Sequence, residues 1–233
     1  MNQIAENIQQ INNRIDAACA RAGRPVDSVT LIAVSKTYPA QAVRDAMQSG
    51  TRDFGENKAQ ELVAKADELG GDLRWHFIGN LQRNKVKYVV GRACLIHSVS
   101  SLRLAEEIEK EAAKRNMTVK VLAEVNIADE ETKHGIDAES AKLLVRQMAE
   151  LPHLEICGLM AIAPPVDDPE ENREHFRRLR ILRDELRAEA LPRVSMTELS
   201  MGMTLDFEVA VEEGATLVRV GTAIFGHRTY PAR

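Results

Sequence analysis

The chain has 233 residues, of which 44% are hydrophobic and 28% charged, a composition that excludes disordered and fibrous proteins. A net charge of −4, from 31 basic and 35 acidic residues, gives no positive excess to follow a phosphate backbone, so no nucleic-acid partner is expected. The chain also lacks a signal-peptide pattern and an apolar run of the ~20 residues that span a bilayer, and its three cysteines are odd in number and widely spaced. We therefore expect a reduced, soluble, cytoplasmic protein with no membrane partner.

The first predicted element is a helix over residues 1–22, which ends before Gly23 and Pro25. Its apolar residues recur at helical spacing and form one stripe on an otherwise polar helix. They are Ile4, Ile8, Ile11 and Ile15. Because such a stripe must be buried, we expect this helix to pack on the body of the protein.

The rest of the chain alternates short apolar runs with longer amphipathic stretches. Eight runs predict strands at 29–35, 53–55, 73–78, 94–99, 119–127, 154–162, 194–199 and 217–220. Helices are predicted between them at 40–48, 59–69, 102–114, 138–151, 171–190 and 206–213. This alternation indicates repeated βα units and a parallel sheet, and eight units favour a closed (β/α)₈ TIM barrel over an open sheet. No linker or internal repeat divides residues 1–233, so a single α/β domain is expected.

Functional residues of a parallel barrel gather where its strands end, because the following loops converge on one mouth. Lys36 directly follows the first predicted strand. Its ammonium group could simply extend to solvent. Alternatively, partial burial could disfavour the ammonium form and leave an amine that forms a Schiff base with an aldehyde.

The loops after the last two predicted strands suit a phosphate group. Gly221 allows close approach of the backbone, and Thr222 adds a hydroxyl donor to the backbone N–H groups. The preceding loop, from Ser200 to Thr204, is also small and hydroxylated. These two loops form the usual phosphate site of such barrels, although each glycine taken alone could be a turn residue.

Arg219 lies two residues before Gly221 in an otherwise apolar strand and is expected to point into the mouth. A buried arginine needs a partner, which could be a barrel carboxylate such as Glu124 or an acceptor on a ligand. Because a guanidinium keeps its proton, a pyridine nitrogen bonded to it would stay unprotonated.

Three further features have a structural interpretation. His76 could donate to a ligand or be a satisfied core histidine, and no second ligand at metal spacing accompanies it. Glu56 and Asn57 follow the second strand and could cap the next helix. The polar loop 129–135 could be a lid, but a solvated connection is the better interpretation.

Six motifs at the ends of predicted strands resemble a known family. They are AVSKT at 33–37, FGEN at 54–57, HFIG at 76–79, GLMA at 158–161, LSMGM at 199–203 and VRVGTAIFG at 218–226. In this order, over nearly the whole chain, they resemble the pyridoxal phosphate homeostasis proteins. That resemblance implies the barrel of the alanine racemase N-terminal domain and bound pyridoxal 5′-phosphate (PLP) as cofactor.

The resemblance also implies a set of cofactor-binding residues. Nine positions match the family motifs: Lys36, Asn57, His76, Met160, Ser200, Met203, Arg219, Gly221 and Thr222. By this resemblance Lys36 would carry PLP covalently as a Schiff base, and Arg219 would face the pyridine nitrogen. Ser200, Gly221 and Thr222 would hold the phosphate, and Asn57 would lie near the cofactor.

Two features disfavour efficient catalysis. Racemases of this fold complete their site with a second domain and a dimer partner, whereas only seven residues follow Gly226 here. An arginine at the ring nitrogen also weakens the electron sink of PLP. The first hypothesis is therefore a monomeric, non-enzymatic PLP-binding protein of vitamin B6 homeostasis, which delivers PLP to apoenzymes. The alternatives are a PLP-dependent amino-acid racemase or decarboxylase, and a Schiff-base aldolase that acts on a sugar phosphate; Lys133 as a second PLP acceptor stays open.

Overall fold

A computed structural model describes residues 2–128 and 135–226. Eight parallel strands form a closed barrel, in which each strand pairs with the next and the last pairs with the first. The strands are β1 (Thr30–Val34), β2 (Asp53–Glu56), β3 (Arg74–Phe77), β4 (Ala93–Val99), β5 (Val119–Glu124), β6 (Leu154–Met160), β7 (Val194–Ser200) and β8 (Leu217–Val220). The predicted (β/α)₈ barrel is confirmed.

Helices before β1, between successive strands and after β8 cover the outside of the barrel. They are α1 (Gln3–Arg21), α2 (Ala40–Met47), α3 (Ala59–Leu69), α4 (Val86–Val89), α5 (Leu102–Lys114), α6 (Ala138–Met148), α7 (Arg173–Ala188), α8 (Phe207–Glu212) and α9 (Thr222–Phe225). Within the two described ranges, none of these helices combines the length and the apolar character that crossing a membrane requires.

The observed elements differ from the predicted ones by a few residues at several ends, most clearly in two strands, and by two short helices. The predicted strands 119–127 and 154–162 end sooner, at Glu124 and Met160, because the chain there already leaves the sheet to form the mouth. The single-turn helices α4 and α9 were not predicted, since four residues are too few to show a helical period.

The leading helix α1 completes the outer layer of the barrel. The side chain of Asn2 accepts a hydrogen bond from the Ala5 N–H at 2.8 Å and caps the helix. The predicted stripe packs inward, with Ile8, Ile11 and Ile15 buried. Helix α1 contacts α2, α8 and α9, so it covers the gap that the single turn of α9 leaves beside β8 and β1.

The interior of the barrel contains both apolar and polar side chains. Because side chains alternate between the two faces of a strand, the paired residues Ile32 on β1 and Arg219 on β8 point to the same side. Six buried residues form an apolar cluster separate from the main core: Ile32, Leu95, Leu122, Cys157, Met160 and Leu217. The remaining interior positions are unusually polar for a barrel of this type, whose interior is commonly filled by Val, Ile and Leu.

Candidate functional site

A cavity of about 730 Å³ opens at the carboxyl end of the barrel strands. Its volume lies within the range of small-molecule sites. Six of the nine predicted site residues line it: Lys36, Asn57, Met203, Arg219, Gly221 and Thr222. The structure therefore brings together residues from β1, β2, β7 and β8 and the loops that follow them.

The other three predicted residues lie below this cavity. Met160 belongs to the interior apolar cluster. His76 bonds to neighbouring interior side chains, so it is a satisfied core histidine. Ser200 is fully buried, and its hydroxyl bonds to Arg219 and His97. These three side chains are therefore not part of the cavity lining, because a motif shows that a residue is near a strand end but not how deep it lies. Their assignment as cofactor-binding residues stays a prediction.

A buried ion pair supports the backbone that precedes Lys36. The Lys65 ammonium donates to the Ser35 carbonyl at 2.7 Å and to Glu56 Oε1 at 2.6 Å. The Ser35 hydroxyl donates to the same Glu56 oxygen at 2.6 Å. Burial raises the pKa of Glu56, although the Lys65 and Ser35 hydrogen bonds oppose that rise. Glu56 is therefore half of a buried ion pair and not the helix cap that its position in the sequence suggested.

The residues that follow Lys36, itself half-buried at the cavity wall, are held in an unusual conformation. Thr37 has a φ of 70°, a left-handed value that is rare for a β-branched residue. Its N–H donates to Glu61 Oε2 at 2.7 Å. Tyr38 donates its hydroxyl to the Gly226 carbonyl at 2.6 Å and packs on Phe225 with ring centroids 5.0 Å apart. These contacts join the loop after β1 to the turn after β8.

Arg219 is buried at the base of the cavity. Its Nη1 donates to the Ser200 hydroxyl at 2.5 Å, and its Nη2 donates to the Ala161 carbonyl at 2.9 Å. Burial lowers the pKa of Arg219 to about 10, while the carboxylates of Asp206 and Glu124 oppose the shift. The guanidinium therefore keeps its charge at neutral pH. Glu124 acts on it through charge, whereas these two hydrogen bonds go to neutral oxygens.

Two glycines keep the cavity wall close-packed. A Cβ at Gly221 would lie 3.3 Å from the Val34 carbonyl, so β8 could not approach β1 as closely with a larger residue. A Cβ at Gly79 would lie 2.3 Å from the backbone oxygen of Asn57. The side-chain oxygen Oδ1 of Asn57 is buried and has no hydrogen-bond partner within the described ranges. Close packing of the Gly79 and Asn57 backbones therefore fixes the position of the cavity wall at Asn57.

The donor set fits a phosphorylated aromatic aldehyde. Lys36 supplies an amine for the aldehyde, and Arg219 supplies a guanidinium for a ring acceptor. Gly221 and Thr222 supply a close backbone approach and a hydroxyl for the phosphate. The residues present are thus compatible with PLP.

One wall of the cavity was missed by the sequence analysis. Asp206 accepts hydrogen bonds from the Met203 N–H at 2.7 Å and from Asn172 Nδ2 at 2.9 Å. Asn172 Nδ2 also donates to the Pro164 carbonyl at 3.0 Å. These bonds tie the loop after β6 to the loop after β7. The Pro164-Pro165 pair does mark a loop, but Asn172 and Asp206 are 34 positions apart and no local pattern relates them.

The proposed lid and second acceptor lie outside the described residues. Residues 129–134, which include Lys133, and residues 227–233 are not among those that the structure describes. Both hypotheses remain predictions.

The chain is similar to known proteins over its whole length. The family model for the alanine racemase N-terminal domain matches residues 2–229. The pyridoxal phosphate homeostasis protein of Aquifex aeolicus is 48% identical over 226 residues, which cover 97% of this chain and 98% of that protein. The protein of the same name from Escherichia coli K12 is 41% identical over 234 residues, covering 99% of each.

Solved structures show the same likeness. PipY of Synechococcus elongatus, described with PLP bound, has a TM-score of 0.84 and 39% identity, covering 96% of this chain and 100% of that one. Alanine racemase of Corynebacterium glutamicum has a TM-score of 0.73 at 17% identity, covering 97% of this chain and 61% of that one. The likeness to the racemase concerns the fold alone.

Removal of the buried lysine beneath Lys36 should destabilise the protein. Lys65→Met leaves the Glu56 carboxylate buried without its cation, and we expect a loss of about 3–5 kcal/mol in the free energy of unfolding. Protonation of Glu56 relieves this penalty, so the loss should be smaller at about pH 5 than at about pH 8. Urea unfolding at both pH values measures this.

The matched control is Lys58→Met. The Lys58 side chain is 68% exposed and pairs with Glu61 at 3.6 Å, so its loss should change the free energy of unfolding by less than about 1 kcal/mol. Equal losses in the two variants, or a Lys65→Met loss that does not depend on pH, would contradict this account of the ion pair.

Proposed function

Because this chain belongs to the family of pyridoxal phosphate homeostasis proteins, which carry the alanine racemase N-terminal barrel, we propose that it binds PLP at the barrel mouth and serves PLP homeostasis. One observation carries the proposal. The amine of Lys36, the guanidinium of Arg219 and the turn at Gly221 line a single cavity. The PLP-bound relative of known structure, at 39% identity, supports the same assignment.

Lys36 is the proposed attachment point. Its uncharged amine attacks the aldehyde carbon of PLP, a C=N bond replaces the C=O bond, and one water molecule leaves. The Lys65 and Glu56 pair below Ser35 holds the backbone that presents this side chain. Thr37, which follows Lys36 and has a strained left-handed backbone conformation, restricts the direction in which the chain continues.

Arg219 is the proposed partner of the pyridine nitrogen. A guanidinium has five N–H donors, of which Ser200 and Ala161 each receive one. A nitrogen that accepts a hydrogen bond from the remaining N–H groups cannot also bind a proton. PLP supplies an electron sink for carbanion chemistry when its ring nitrogen is protonated, and Arg219 works against that form.

The phosphate is assigned to the turn that follows β8. Gly221 permits the backbone to approach the phosphate, and the Thr222 hydroxyl donates to it. Asn57 and Met203 line the same cavity. Ser200 is assigned an indirect role, because its hydroxyl bonds to Arg219 below the cavity.

This arrangement favours a protein that holds PLP over one that uses it for catalysis. We propose that the chain limits the free aldehyde and passes PLP to apoenzymes, acting as a single-domain monomer in the cytoplasm. Free thiols at Cys19, Cys94 and Cys157 fit a reducing compartment. The open cavity mouth fits transfer of the ligand to another protein.

Borohydride reduction tests the attachment. Protein incubated with PLP should develop a yellow imine absorbance, and reduction should add the mass of reduced PLP to the peptide that contains Lys36. Lys36→Ala should lose both signals because the amine is gone. Lys58→Ala, which removes an exposed lysine next to Asn57, should keep both. Undiminished trapping in Lys36→Ala, at any other lysine, would refute the assignment.

Amino-acid turnover tests the carrier role against the racemase alternative. We expect the PLP-loaded protein to racemise or decarboxylate no amino acid faster than free PLP does, because Arg219 opposes ring-nitrogen protonation. Chiral chromatography of each amino acid after incubation measures this. Turnover that is present in the wild type and lost in Lys36→Ala would show an enzyme instead.

A further inference from the structure

A continuous row of hydrogen bonds crosses the barrel interior, from the cavity at one end of the barrel to the opposite end of the barrel. The Ser200 hydroxyl accepts from Arg219 and lies 2.8 Å from His97 Nδ1. His97 Nε2 lies 3.0 Å from His76 Nδ1, and His76 Nε2 lies 3.0 Å from Asp53 Oδ1. All five residues are buried, and they come from five different strands. We call this set, Arg219, Ser200, His97, His76 and Asp53, the buried relay.

The far end of the buried relay reaches the surface. Arg74 donates through Nε to Asp53 Oδ1 at 2.7 Å and through Nη2 to Oδ2, and its side chain is 59% exposed. Burial raises the pKa of Asp53, but hydrogen bonds from His76 and Arg74 outweigh this and leave it lowered. Asp53 is therefore an ionised carboxylate that can only accept hydrogen bonds.

The proton positions follow from this acceptor when His76 is neutral. Its single proton must lie on Nε2, facing Asp53, so Nδ1 has to accept from the Nε2–H of His97. His97 Nδ1 then carries no proton and accepts from the Ser200 hydroxyl. The Ser200 oxygen still accepts from Arg219, so the ring nitrogens of both histidines and the Ser200 hydroxyl all have hydrogen-bond partners.

A second proton on His76 reverses this order. Its Nδ1–H now donates to His97 Nε2, so the single proton of neutral His97 moves to Nδ1 and points at Ser200. The Ser200 oxygen then accepts from both His97 and Arg219, and its own proton must turn away from the relay. One proton at His76 therefore changes the orientation of the Ser200 hydroxyl, which is the acceptor that Arg219 contacts at the base of the cavity.

The charges around the two histidines keep only one of them protonated. Facing His76 in the described chain are Asp53 on β2, Arg74 on β3, and Cys94 and His97 on β4, with Arg219 beyond. Burial lowers the pKa of His76, but hydrogen bonding and charge interactions with Asp53 and Cys94 raise it to about 9. Burial and the charges of His76 and Arg219 hold the pKa of His97 well below its usual range. The arrangement with charged His76 and neutral His97 therefore prevails at neutral pH.

We propose that the buried relay positions Arg219: the protonation of His76 sets the direction of the Ser200 hydroxyl, and thereby the strength and orientation of the Arg219 contact with the cavity. His76, His97 and Ser200 are then positioning residues and touch no ligand. Loss of the His76 proton lets Ser200 donate to His97, which makes its oxygen a stronger acceptor for Arg219. The effect on PLP rests on the proposed function, whereas the proton order within the relay does not.

Nitrogen NMR of the protein without PLP tests the relay itself. The protein is labelled with ¹⁵N in its histidine rings, and the His76 and His97 signals are assigned from His76→Gln and His97→Gln spectra. Between neutral pH and the alkaline side of the His76 titration, His97 should change from the Nδ1–H to the Nε2–H tautomer at the midpoint of that titration. A His97 ring that keeps one tautomer while His76 titrates would overturn the proposal.

Absorbance of the PLP-loaded protein tests the link to the cavity. The imine band should shift with pH at the midpoint that NMR gives for His76, and Ser200→Ala should lose this shift while PLP is still trapped on Lys36. His153→Gln, which removes a histidine paired with Glu109 outside the relay, should retain the shift. A Ser200→Ala band that shifts at the wild-type midpoint would overturn the proposal. Absence of any imine in the wild type would instead refute the proposed function, but it would not affect the NMR test of the relay, which uses the protein without PLP.

Discussion

The structure depends on a guanidinium buried inside the barrel. Arg219 cannot release its proton at neutral pH, so the surrounding strands must supply acceptors and opposing charge. The Ala161 carbonyl, directly after β6, and the Ser200 hydroxyl, at the end of β7, accept its hydrogen bonds, while Asp206 and Glu124 act through charge. An interior filled with aliphatic side chains could not hold this residue. The buried guanidinium of Arg219 therefore accounts both for the polar interior of the barrel and for the location of the cavity above this residue.

Barrel closure brings the proposed attachment point next to this guanidinium. β1 pairs with β8, and Ala33 lies opposite Val220 in the register. Lys36 and Gly221 therefore reach the mouth side by side, although they are distant in the sequence. Tyr38 and the leading helix α1 hold the same seam from outside, through the Gly226 carbonyl and, from Asn7, the Ile224 carbonyl at 2.9 Å. The ends of the sheet that must meet for the barrel to close are the ones that build the cavity.

The sequence predicted the barrel and six of the residues that line the cavity, because strand ends in such a fold converge on one mouth. The sequence could not predict how far below the cavity a side chain lies in the barrel. Ser200 follows the same rule as Gly221, yet its side chain is bonded beneath Arg219 instead of facing the cavity. The relay through His97 and Asp53 was missed because each lies in a short strand whose neighbours give no sign that the two are linked. Only the register of adjacent strands places His76 between them.

The central claim is that this buried guanidinium meets the ring nitrogen of PLP and keeps it unprotonated. The ¹⁵N NMR spectrum of the protein loaded with PLP labelled at that nitrogen measures this directly. We expect the chemical shift of an unprotonated, hydrogen-bonded pyridine nitrogen at neutral pH, and a change to the protonated form in Arg219→Glu. A pyridinium shift in the wild-type protein would contradict it.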